Sequence, residues 1–125
     1  MYYLTLKKEL SASHFLVGGD FGIENQVHPH HYMVRARLEG ENLDEHGYLY
    51  DIHEFDDHLE RIVVKYRSRV LNEMDEFSKL NPSLENFCRI LWREVSQQIF
   101  SPRLKRLTIE IAEDEKSSAS FEHEF

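Results

Sequence analysis

The hydrophobic period of this chain changes twice. Tyr2, Leu4 and Leu6 alternate with Tyr3, Thr5 and Lys7, and Tyr32-Met-Val-Arg-Ala-Arg-Leu38 alternates again. Both runs read as strands, because successive side chains of a strand point to opposite faces. Ile52, Phe55, Leu59, Ile62, Val63, Tyr66 and Val70 then recur at helical spacing behind Asp51, a suitable N-cap. They predict a helix of about twenty residues. Asn81-Pro82-Ser83 punctuates the start of a second helix, marked by Leu84, Phe87, Cys88, Leu91, Trp92, Val95 and Ile99 and stopped at Ser101-Pro102. Alternation returns from Leu104 to Ala112, with Leu107, Ile109 and Ile111 on one face. After a polar turn at Glu113–Ser118, a last strand covers Ala119 to Phe125. The order ββααββ implies an α+β layer, a four-stranded antiparallel sheet with two helices on one face.

Finer signals place the joints. Ser11-Ala-Ser13 predicts a bulge or bend in the first strand. Gly18-Gly19-Asp20 is a loop signal, and the second strand is expected from about His30 to Leu38, so the first two strands form a long hairpin. The other sheet face would carry Tyr3, Thr5, Lys7, Arg35, Arg37, Thr108 and Glu110. Closing the sheets of several subunits into one barrel would hide both edges and pair these charges.

A chain of 125 residues is expected to form one domain, residues 1–125. Its formal charge of −8 argues against nucleic acid or an anionic membrane as partner. Cys88 is the only cysteine, so the chain forms no internal disulfide. The N-terminus carries no basic leader and no apolar core, and no run is long enough to span a bilayer. A cytoplasmic location is expected.

Chemistry concentrates in Glu24-Asn-Gln-Val-His28-Pro-His30-His31-Tyr32. His28 and His30 lie two apart on a strand and project together, with His31 on the opposite face. His14, in Ser11-Ala-Ser-His14, is a third candidate. Three imidazoles with one open position is the layout of a catalytic zinc site. His46, His53, His58 and His123 read as solvated or interface residues, with His58 a candidate pH-sensitive contact.

Taken in order, these motifs resemble those of the 6-pyruvoyl tetrahydropterin synthase family, which includes the 6-carboxytetrahydropterin synthases of queuosine biosynthesis. Ser11-Ala-Ser-His14 is similar to the family's first zinc-histidine strand. His28-Pro-His30-His31-Tyr32 is similar to its His-Gly-His-x-Tyr motif, with Pro29 for glycine. Gly47-Tyr-Leu-Tyr-Asp51 and Pro82-Ser-Leu-Glu-Asn86 resemble the segments that open its two helices. The resemblance implies the tunnelling fold, with trimeric barrels that stack into hexamers. It also implies zinc on His14, His28 and His30, and a pterin anchored by Glu113, eight positions before Phe121, at a subunit interface.

Two departures alter the implied chemistry. Glu24 stands where the carboxytetrahydropterin synthases carry a cysteine, four residues before the His-x-His pair. Arg67 and Ser68 stand where the family carries an Asp-His dyad before Leu71-Asn72. A carboxylate with a raised pKa can serve as a general base, which makes Glu24 the candidate base. A branch with dihydroneopterin aldolase-like activity, on the route to folate, also replaces the cysteine by glutamate, commonly three residues before the pair. The expected activity is that of a zinc-dependent lyase or aldolase acting on the side chain of 7,8-dihydroneopterin or its phosphate. The alternative is a non-catalytic zinc- and pterin-binding member. Arg67 and Arg69 read either as helix-end charges or, for Arg67, as a cation for an anionic ligand group.

Overall fold

A computed structural model describes all residues, 1–125. Strands β1 (Tyr2–His14) and β2 (His28–Gly40) form the long hairpin, followed by helix α1 (Ile52–Val63), helix α2 (Leu84–Gln98), and strands β3 (Arg106–Ala112) and β4 (Ser118–Glu124). The sheet order is β1-β2-β3-β4, antiparallel throughout. The ββααββ reading therefore stands.

Two boundaries differ from the sequence expectation. The pairing of β1 with β2 runs without interruption from Tyr2↔Gly40 to His14↔His28, so no bulge forms at Ser11–Ser13 and β2 begins at His28. Ser11 and Ser13 are tolerated in strand because the far end of β1 gains partners on its outer edge. Ser68 N–H donates to Ser11 O, Ser13 N–H donates to Arg69 O, and Ser13 bridges Val70.

The same pairing shortens the first helix. It ends at Val63, and the chain turns through residues 64–68, with Ser68 at φ 59°, to reach the strand edge. Tyr66 is fully buried because this turn tucks it edge-on against Phe77 and Phe87, not because the helix continues. Arg67 and Arg69 are therefore not helix-end charges.

Burial follows parity. Leu10, Ala12, Tyr32, Val34, Ala36, Leu38, Leu107, Ile109 and Ile111 line the inner sheet face. Against it lie Phe55, Leu59, Ile62 and Val63 of α1 and Phe87, Cys88, Leu91 and Val95 of α2. Asp51 caps α1 by accepting from His53 and Glu54 N–H, and Ser83 caps α2 by accepting from Asn86 N–H. At Gly40 a Cβ would fall 2.3 Å from Arg103 O, so only glycine lets β2 end beneath that segment.

The outer face is polar as expected. Arg37 lies over the Tyr3 ring, Arg35 lies 4.0 Å from Glu110, and Thr108 donates to Glu122. No helix is long and apolar enough to cross a membrane.

Candidate metal centre

The last rung of the β1/β2 ladder pairs His14 with His28. Even positions of both strands face inward, so His14, His28 and His30 converge at the mouth of the hairpin. Their ring centroids are 4.6, 4.6 and 4.8 Å apart, a nearly equilateral triangle of edge-on rings. Glu24, on a short 3-10 turn (Gly22–Asn25), brings its carboxylate into the same group. Within it, one donor atom from each of the four residues lies within 4.8 Å of the others.

The donors are oriented from outside. His28 Nδ1 lies 2.7 Å from the carbonyl oxygen of Gln26, which can only accept, so Nδ1 carries a proton and Nε2 is the ring nitrogen turned to the cluster. That Nε2 lies 3.1 Å from Glu24 Oε2, yet it is buried without a hydrogen bond, because the approach is close but unaligned. A cation held between them would engage both the ring nitrogen and the carboxylate. His30 Nε2 is likewise buried without a partner, while its Nδ1 lies 3.8 Å from Glu113 Oε2. His14 is 4% exposed and its Nδ1 is 3.0 Å from the Tyr32 hydroxyl. Burial first, then the neighbouring His30 and His28, hold its pKa down to about 4 against the opposing pull of Glu24 and the Pro82 carbonyl. His14 is therefore neutral near pH 7 and can ligate.

Three imidazoles, two of them with buried unpartnered ring nitrogens, and one carboxylate are a donor set suited to zinc. The residues present thus fit the metal that the sequence led us to expect.

The segment after His14 is tied on both sides. Asn72 accepts from Phe15 N–H and donates to Phe15 O, at 2.9 and 2.8 Å. Asn81 does the same to Val17, at 2.8 and 2.9 Å. On the opposite edge, Leu16 N–H donates to Glu24 O at 2.8 Å and Asn25 donates to Leu16 O. These amides fix Glu24 relative to His14. They were not legible in the sequence, since Asn72 and Asn81 reach across 57 and 64 positions.

Other residues stay apart from the cluster. His31 is exposed on the opposite face beside Ser11 and Glu9. Arg67 is committed to Glu60 and to the Glu9 carbonyl on the flank of β1, and so is not a free cation for a ligand. Cys88 is buried in α2, its thiol pushed up to about 12 by burial and its Sγ directed to Ala119 O. His58 contacts Arg61 and Glu54 on the outer side of α1.

A four-stranded antiparallel sheet, two helices on one face and a histidine triangle at the hairpin mouth define a protein of the tunnelling-fold class. The chain belongs to the 6-pyruvoyl tetrahydropterin synthase family, whose model matches residues 3–124. Its fold is similar to that of the Caenorhabditis elegans 6-pyruvoyl tetrahydropterin synthase, with TM-score 0.80 and 22% identity over 98% of this chain and 97% of that one. It is also similar to a Plasmodium vivax 6-pyruvoyltetrahydropterin synthase described as a catalytic-residue mutant, in which cysteine replaces a glutamate. There the TM-score is 0.82 and the identity 15%, over 99% and 98%. An uncharacterized Wolinella succinogenes protein has TM-score 0.76 and 13% identity, over 96% and 97%. No curated protein matches the chain in sequence.

Proposed function

We propose that this protein is a zinc-dependent enzyme of pterin metabolism, acting on the side chain of 7,8-dihydroneopterin or its phosphate by carbon–oxygen lyase or aldolase-type chemistry. The observation that carries the reading is the Glu24 carboxylate grouped with the three imidazoles, 3.1 Å from His28 Nε2. His14, His28 and His30 would hold zinc. A bound zinc supplies Lewis acidity toward the oxygens of the substrate side chain. Glu24 takes the proton that leaves the substrate side chain, from a carbon in the lyase reaction and from a hydroxyl in an aldol cleavage. Glu113, partly buried beside His30, accepts hydrogen bonds from the pterin ring and sets that side chain near Glu24. The Plasmodium vivax relative, in which a glutamate is described as catalytic, supports a glutamate in this role.

A second reading has an observation of its own. Glu24 offers a donor atom within the same 4.8 Å group, and as a fourth ligand it would close the coordination sphere. The protein would then bind zinc and pterin without turnover, which also fits Arg67 and Ser68 in place of the usual dyad.

The discriminating experiment begins with zinc content of protein purified without added metal. Zinc-loaded protein is then incubated with dihydroneopterin, its monophosphate and its triphosphate, with product identification. Turnover of one substrate is the expected result. Pterin binding without turnover would establish the binder instead, and a chain that neither carries nor takes up zinc would remove both readings.

A further inference from the structure

The Tyr32 phenol is buried to 1% in the apolar core, so its ring has one fixed setting. It stands edge-on to Phe87, with centroids 5.6 Å apart at 87°. From there its hydroxyl reaches past the core boundary to His14 Nδ1, at 3.0 Å.

Each of the three imidazoles thus has an outer neighbour at Nδ1, and the three differ in kind. Gln26 O serves His28 from a loop backbone, and Glu113 stands off His30 at 3.8 Å. Only His14 is held by a side chain that is itself locked in the core. A histidine that binds metal through Nε2 must carry its proton on Nδ1, and an acceptor at Nδ1 fixes both that tautomer and the ring plane.

We infer that Tyr32 is the positioning residue for His14, its hydroxyl oxygen accepting the Nδ1 proton and so presenting Nε2 as a preset ligand. This rests on the zinc reading above and assigns Tyr32 a role within it. The rival account is that His14 merely satisfies a buried phenol, in which case the contact serves folding and not the metal.

The test compares wild type with Y32F in three measurements. Zinc affinity is read by chelator competition, the cobalt(II)-loaded proteins by visible absorption, and the zinc-loaded wild type by 15N-edited imidazole spectra. The expected results are a loss of zinc affinity on the order of tenfold or more in Y32F, altered cobalt bands, and a protonated Nδ1 on His14 in the zinc-loaded wild type. The imidazole spectrum needs no variant, so it decides even if Y32F folds poorly. Wild-type-like affinity and cobalt bands in Y32F, or a His14 bound through Nδ1, would overturn this inference while leaving the zinc reading intact. A wild-type chain that takes up no zinc would overturn both.

Discussion

On the proposed reading Glu24 sets the reaction, because it is the one carboxylate grouped with the three imidazoles. Replacing it by glutamine keeps its size and removes its charge. E24Q is expected to retain zinc and lose about 100-fold or more in turnover, the usual range for a general base. An unchanged rate would show that another group takes the proton, and a loss of zinc would mark Glu24 as a ligand. How far these residues are legible without coordinates follows from the range of the contacts involved. His28 and His30 share a strand face by parity alone, and His14 joins them once the hairpin register is known. Glu24 stood out only through its place in a family motif. The bond from Tyr32 to His14 was not visible at all, since a tyrosine on a core face reads as packing until its hydroxyl is seen to end at an imidazole of the cluster.

Among the elements, the segment after α1 does the most to tie strands to helices, and periodicity misread it. Tyr66 and Val70 fall in helical phase, yet the chain leaves the helix after Val63 to pair with the edge of β1. A hydrophobic period records which residues are buried, not which backbone buries them. This segment also completes a charged link. Glu60 pairs with Arg67 and with Lys8 of β1. Arg67's hydrogen bond first, then that of Lys8, hold the Glu60 carboxyl below its ordinary 4.5. A depressed carboxyl contributes stability above the unfolded value and loses it as pH falls through the folded one. Melting temperatures of wild type and E60Q should therefore differ most near pH 7 and converge below about pH 4.5. A gap that stays constant with pH would show that the pairing contributes nothing. The asparagine ties make a separate prediction. N72A should speed amide exchange at Phe15, on the order of tenfold or more, while the amides of β2 and β3 keep their protection. Equal exchange in both proteins would show that Asn72 does not hold the segment.

At the level of the molecule, the uncovered surfaces are the sheet's edges and outer face. The outer edge of β1 from Tyr2 to Lys8 has no strand partner, and neither has that of β4. Met1, Tyr2, Tyr3 and Phe125 are each 44–57% exposed. Arg37 Nε and Glu39 Oε2 are buried without hydrogen bonds. Edge pairing between copies would satisfy the free backbone groups and cover these side chains. Light scattering of the purified protein is expected to give a mass that is a multiple of three chains, and a stable monomer would exclude a closed ring of sheets. The hairpin register has a different consequence. His14 and His28 occupy the final ladder rung, so the backbone positions of these two histidines are set by the sheet and not by the length of the chain that connects them. Lengthening a connection of this kind costs little, growing only with the logarithm of its length. Side chains of the connection, Glu24 among them, can therefore change while the paired histidines keep their place on the sheet. One scaffold can in this way pass from one reaction to another by editing a single loop.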